Sequence, residues 1–183
     1  SCYLSYHGAT FASMAASGSG KRKAKSEPHI GGFLKVLSPL QCRDWFASWE
    51  EANRFAVHMF EEVIVNEGPD TVAAVVIEPI CNTGGIVTPT EQYFQMLRAI
   101  CDRYNVLLIF DEVLSGCGRT GDMFAAQTFG VTPDVICSGK GFSGGVVPFG
   151  AFMAREDMAD AFYGPAEAEI QFAHGHTFAG SPL

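Results

Sequence analysis

The stretch "VLLIFDEV", residues 106–113, decides which fold we expect. Its first five residues are apolar without a break, and Asp111 and Glu112 follow them directly. A short, continuous apolar run of this kind is typical of a buried strand. A carboxylate that emerges from such a strand needs a partner, because burying an unpaired charge is costly.

Similar apolar runs lie on both sides of this stretch in the sequence. "TVAAVVIEP" predicts a strand over 71–77 that ends at Glu78, "DVICSGKGF" a strand that ends at Lys140, and "PFGAFMA" a further strand. Apolar residues at helical spacing and flanking turn residues predict helices between and after the strands, over 45–66, 90–104, 121–129 and 155–163. This alternation predicts an α/β fold with a mostly parallel sheet sandwiched by helices.

Charged residues follow three of the predicted strands, namely Glu78, Asp111 and Lys140. The carboxyl ends of parallel strands meet at one edge of the sheet, and ligands of α/β proteins bind beyond that edge. A core strand needs no charge at its end for packing. These three residues therefore mark the candidate site.

Lys140 lies between glycines, and a phosphate-binding loop of the G-x-x-x-x-G-K-[ST] type is one interpretation. It is weak, because Gly141 stands where Ser or Thr is required and Asp134 where the first glycine is required. A lysine in a pocket of low dielectric is favoured in its neutral form and attacks carbonyl carbons, which suits Schiff-base chemistry. A plain surface lysine remains the alternative.

Asp111 has two interpretations as well. In a pyridoxal phosphate site a carboxylate keeps the ring nitrogen protonated, so that the ring can accept electrons. The alternative is a structural role, as a helix N-cap or in a salt bridge to Arg119.

Composition excludes several classes of protein. The 183 residues are 48% hydrophobic and carry a net charge of −8, which indicates a globular domain and disfavours nucleic acid as a partner. The basic run over 21–25 is expected to be a solvated loop. No membrane-spanning stretch or signal peptide is evident, and six cysteines without a C-x-x-C pair favour reduced thiols in the cytoplasm over a metal site. His174 and His176 have no evident third metal ligand.

Four segments in order resemble the class III aminotransferases, which are pyridoxal-phosphate enzymes of fold type I. They are "SYHG" at 5–8, "IFDEVLSGCGRTG" at 109–121, "PDVICSGKGFSGGVVPFGA" at 133–151 and "HGHTFAGSP" at 174–182. Each segment alone is weak, but their shared order covers nearly the whole chain. The resemblance implies a cofactor, pyridoxal 5'-phosphate, and a set of residues that bind it.

The resemblance implies that Lys140 bonds to the cofactor aldehyde as a Schiff base and later moves protons. Asp111 would hold the pyridine nitrogen, Val113 would pack on one face of the ring, and Tyr6 would stack on the other face with His7 beside it. Two further cofactor-binding residues follow from the same resemblance, Thr177 and Glu78. Thr177 would give its hydroxyl to the phosphate of the cofactor bound in the neighbouring subunit, which implies a homodimer. Glu78 would lie near the base of the pocket.

The implied activity is transfer of an amino group from an amine or amino acid to an oxo acid such as pyruvate. An aminomutase or a dialkylglycine-type decarboxylase of the same family stays open, as does a non-catalytic nucleotide-binding module. The chain departs from common family patterns at Leu114, Thr83 and Cys117. Because family members are considerably longer, residues 1–183 are expected to be the central part of the large domain, without the N-terminal segment and the C-terminal small domain.

Overall fold

The structure, a computed structural model, describes residues 1–175, 177 and 180. Within these residues one sheet has the strand order β1-β2-β3-β4, formed by Ala74–Ile77, Leu107–Asp111, Val135–Gly139 and Gly150–Ala154. Strands β1, β2 and β3 are parallel, and β4 is antiparallel to β3. The predicted mostly parallel α/β sheet is confirmed.

Helices connect and flank these strands. In chain order they are α1 (Phe11–Ala16), α2 (Gly20–Lys23), α3 (Pro39–Cys42), α4 (Trp49–Glu67), α5 (Glu91–Arg103), α6 (Ala125–Thr128) and α7 (Glu156–Asp160). Single turns of 3-10 helix cover Arg43–Trp45, Pro69–Thr71, Lys140–Ser143 and Ala166–Ala168. None of the helices in the described part of the chain is long and apolar enough to cross a membrane.

The two long helices begin at capping residues that the sequence supplies. The Ser48 hydroxyl accepts the Glu51 N–H at 3.1 Å before α4, and the Thr90 hydroxyl accepts the Tyr93 N–H at 3.2 Å before α5. Each cap satisfies one N–H that has no partner within its helix. Helix α4 ends at Gly68, whose φ of 87° is readily available to glycine.

The core lies between these helices and one face of the sheet. It contains Val75 and Ile77 of β1 and Leu108 and Phe110 of β2, and α4 and α5 contribute Ala56, Val57, Phe60, Ile64, Phe94, Leu97 and Ile100. The intervening strand positions are only half buried, so the described residues cover one face of the sheet more fully than the other. Asp111 lies in register with those intervening positions.

A buried carboxylate joins the strands at the edge opposite to their carboxyl ends. Asp134 is 3% exposed, accepts the Leu108 N–H at 2.7 Å and pairs with the guanidinium groups of Arg98 and Arg155. These contacts tie β2, α5 and the end of β4 to one residue, so the negative charge at position 134 is compensated on several sides.

The predicted long elements agree with the observed ones to within a few residues, but three expectations were wrong in detail. Residues 21–23 of the basic run belong to the helical turn α2, because Arg22 and Lys23 N–H groups bond to the Ser19 carbonyl. The helix predicted over 121–129 is only the single turn α6, Ala125–Thr128. The last predicted helix is shorter, since α7 ends at Asp160.

Candidate active site

The three charged residues that follow strands lie along the carboxyl edge of the sheet, as the parallel arrangement requires. Glu78 follows β1, Asp111 is the last residue of β2, and Lys140 follows β3 directly. Adjacent pairing of β1 with β2 and of β2 with β3 brings the three strand ends side by side. Asp111 is in register with Cys137, three positions before Lys140.

Asp111 is held by His7, which the N-terminal segment brings to the same edge. His7 Nδ1 lies 2.8 Å from Asp111 Oδ2, and the two side chains are only 5% and 12% exposed. The other carboxylate oxygen, Oδ1, accepts the Val113 N–H at 3.2 Å. The second ring nitrogen, His7 Nε2, is buried and has no hydrogen-bond partner among the described residues. The alternative of a salt bridge between Asp111 and Arg119 is not observed within the described residues.

The position of His7 depends on its backbone. The His7 N–H donates to the hydroxyl of Ser17, a residue that is fully buried. Ser17 was missed by sequence reasoning, because a serine after a short helix carries no pattern that points to a residue ten positions earlier.

Glu78 holds Tyr6, the residue before His7. Its Oε1 accepts the Tyr6 N–H at 2.8 Å, and its Oε2 lies 3.4 Å from the Asn82 N–H, which donates to it. The guanidinium of Arg22 lies 4.4 Å from the centre of the Tyr6 ring, a cation–π contact. Glu78 thus fixes the backbone of the segment that carries Tyr6 and His7.

Burial shifts the pKa of Glu78. Loss of hydration raises the pKa of its carboxyl above the ordinary value, although the N–H donors from Tyr6 and Asn82 and the nearby His7 oppose this shift. Asp111 adds to the rise through charge repulsion. The Cys137 thiol likewise has a raised pKa, through burial first and then through the charge of Asp111.

Val113 packs against the backbone of Gly139, the residue that precedes Lys140. A Cβ atom built on Gly139 would lie 3.6 Å from Val113 Cγ1 and 3.3 Å from the Phe149 carbonyl oxygen. Lys140 begins a 3-10 turn with φ at 45°, in the left-handed region that non-glycine residues rarely adopt. Strain of this kind persists when surrounding structure enforces it and is common at functional sites. The Lys140 side chain is exposed.

Thr177 lies far along the chain from the predicted site residues that follow the strands. It lies in a turn, is exposed, and shares no hydrogen bond with the other six within the described residues. His176, beside it, lies outside the described residues. Within residues 1–175, 177 and 180, no group of three or more His, Cys, Asp or Glu side chains could hold a metal ion.

Glu112 is a buried carboxylate that sequence reasoning did not assign. It is 1% exposed, and its two oxygens accept the N–H groups of Ala125 at 2.6 Å and Ala126 at 2.8 Å. The Ser115 hydroxyl donates to the same carboxylate at 3.1 Å. Glu112 therefore anchors α6 to the end of β2 and fixes the loop between them. Its position directly after Asp111 was the only signal.

Comparison with known proteins identifies the family to which this arrangement belongs. A family profile described as "Aminotransferase class-III" matches residues 1–183. A probable aminotransferase of Mycobacterium tuberculosis is 40% identical over 98% of this chain and 38% of that protein. A hypotaurine/taurine–pyruvate aminotransferase of Paracoccus denitrificans is 37% identical over 91% of this chain and 36% of that protein.

Solved structures agree with the sequence relatives. An (S)-enantioselective omega-transaminase from Thermomicrobium roseum matches 97% of this chain with a TM-score of 0.87 at 35% identity. An amine transaminase from an uncultivated Pseudomonas species, in a PLP-bound form, matches 97% with a TM-score of 0.88 at 30% identity. The chain spans 39% and 40% of these two structures, about two fifths of each. These relatives do not favour the mutase, decarboxylase or nucleotide-binding alternatives.

Proposed function

We propose the function of the whole protein from the fact that this chain belongs to the class III aminotransferase family. The whole protein is a pyridoxal-phosphate-dependent transaminase that moves an amino group from an amine or amino acid to an oxo acid such as pyruvate. The observation that carries this proposal is the buried His7–Asp111 pair at the end of β2. Strand β2 pairs with β3, and Lys140 follows β3 directly. The named relative that uses taurine and pyruvate supports the choice of acceptor.

The residues at the carboxyl edge fit pyridoxal phosphate. Asp111 is a carboxylate held in one orientation on both oxygens, as a partner for a protonated ring nitrogen must be. Val113 offers an apolar surface beside Gly139, and Lys140 offers a primary amine. When bound, the cofactor supplies an aldehyde that condenses with amines and a protonated ring that accepts electrons.

Each of the proposed site residues then has a defined task. Asp111 holds the proton on the ring nitrogen, and His7 orients Asp111. Val113 and Tyr6 would pack against the cofactor ring, and Glu78 keeps the Tyr6 backbone in place.

Lys140 holds the cofactor and moves the proton. Once the donor amine had displaced its Nζ from the cofactor, the free amine would take a proton from the donor carbon that bears the amino group, and would later give a proton to the acceptor carbon. At Lys140, whose φ is left-handed, the chain leaves the regular path of β3 and begins a 3-10 turn.

The assembly is part of the same proposal. Residues 1–183 are the central part of the cofactor-binding large domain, which accords with their share of about two fifths of the relatives. The protein is a homodimer in which the exposed Thr177 binds the cofactor phosphate of the neighbouring subunit. Six free thiols support a cytoplasmic location.

Borohydride reduction of the whole protein with its cofactor tests the assignment of Lys140. Reduction should fix the cofactor on the peptide that contains Lys140, and Lys140→Ala should abolish both the label and transamination with a panel of amine donors. Label on another residue, or full activity of Lys140→Ala, would refute the role of Lys140. Release of carbon dioxide from the donor would instead indicate decarboxylation.

A further inference from the structure

A small cavity lies beside Glu78, lined on one side by core residues such as Ile77 and Val87. Its volume is about 20 Å³, and its polar lining comes from Ser5, Ser38, Glu78, Cys81 and Tyr93. A cavity needs roughly 10–15 Å³ of this kind of volume to hold one water molecule, together with at least two polar partners. The cavity therefore has room for one water molecule.

Two hydroxyl groups that line this cavity have unused hydrogen-bonding capacity. Ser38 is 2% exposed, and its Oγ has no hydrogen-bond partner among the described residues. Tyr93 is equally buried, and in the described part of the chain its hydroxyl has only the Cys2 sulfur as a hydrogen-bond partner, at 3.9 Å. A buried hydroxyl without a partner costs free energy, which an ordered water can recover.

Glu78 supplies a third polar group. Its Oε1 accepts the Tyr6 N–H and the Cys81 thiol at 3.6 Å, and its Oε2 accepts the Asn82 N–H, whereas a carboxylate has about four lone-pair sites. Burial raises the pKa of Glu78, and a protonated carboxyl can also donate. Burial also raises the pKa of Tyr93 well above its ordinary value, so its hydroxyl remains a donor.

We propose that this cavity binds one water molecule, held by the hydroxyls of Ser38 and Tyr93 and by the carboxyl of Glu78. The water fills the capacity that the protein groups leave open. It also gives the Glu78 carboxyl a further partner, and so helps to hold the segment that carries Tyr6 and His7. This inference does not depend on the proposed reaction.

A high-resolution crystal structure of the whole protein is the direct test. We expect a single ordered water within hydrogen-bond distance of Ser38 Oγ and of Tyr93 Oη or a Glu78 oxygen. An empty cavity, or a Ser38 hydroxyl that donates to a protein carbonyl instead, would overturn the proposal.

A pair of substitutions tests the same water in solution. Ser38→Ala and Tyr93→Phe should each lower the midpoint of urea unfolding, but the double variant should fall by less than the sum, because both hydroxyls bind one water. Ser38→Ala combined with Tyr104→Phe is the control, since the Tyr104 hydroxyl bonds to Glu61 instead, and its two effects should add. Additive effects of Ser38→Ala and Tyr93→Phe would contradict the shared water.

Discussion

His7 Nδ1 lies 2.8 Å from Asp111 Oδ2, although 104 positions separate the two residues in the chain. Both side chains are largely buried, so the contact is little screened by solvent. It joins the N-terminal segment to the end of β2 and fixes one oxygen of the carboxylate. The orientation of Asp111 therefore depends on a residue from a different part of the chain.

Asp111→Asn should leave the fold intact and weaken the chemistry. The amide has nearly the same shape, but it carries no charge with which to keep a ring nitrogen protonated. We expect transamination to fall by on the order of 100-fold or more, as when one preorganised electrostatic contact is removed. Initial rates and a cofactor titration by absorbance would measure the loss. Asp70→Asn, at an exposed position, is the matched control, and equal rates for both variants would contradict the role of Asp111.

The strand ends could be predicted from the sequence because continuous apolar runs and the charges that follow them are local signals. The His7–Asp111 contact could not be derived from pattern alone, since nothing in a local pattern reports a contact across 104 positions. The short helices α1, α2 and α3 have too few residues for a helical period to emerge. Glu112 was missed because a buried structural carboxylate and an exposed one look alike in sequence.

Glu112→Gln should destabilise the whole protein. The Ala125 and Ala126 N–H groups donate to separate oxygens of Glu112, and an amide offers only one acceptor oxygen. One buried N–H would then face the NH₂ group, and two charge-assisted bonds would be lost or weakened. We expect the free energy of unfolding to fall by about 2–3 kcal/mol, measured from urea unfolding. Glu67→Gln, at an exposed position, should change it little; equal effects would show that Glu112 is no anchor.

Gly18→Ala should displace the segment that carries Tyr6 and His7. A Cβ at position 18 would lie 2.0 Å from the Cys2 carbonyl oxygen, a backbone atom that cannot rotate away. The Gly18 N–H also donates to the Ser5 carbonyl at 3.0 Å. Movement of either segment would break this hydrogen bond. We expect a loss of about 1–3 kcal/mol in the free energy of unfolding, the usual range for overpacking. Gly20→Ala meets no atom within 4 Å and is the control, and comparable stability of the two variants would show that the segment adapts.

Glu78→Gln should change how stability depends on pH. Because the pKa of Glu78 is raised above 4.5 in the folded protein, the folded state binds more protons there than the unfolded state does. This contribution stabilises the protein fully below the ordinary carboxyl pKa and is lost as pH rises through the raised value. The urea midpoint of the wild-type protein should therefore fall relative to that of Glu78→Gln as pH increases over this window. All other titrating groups are common to both proteins, so the difference isolates Glu78. A difference that stays constant with pH, or that grows in favour of the wild type, would show that burial does not keep the proton on Glu78.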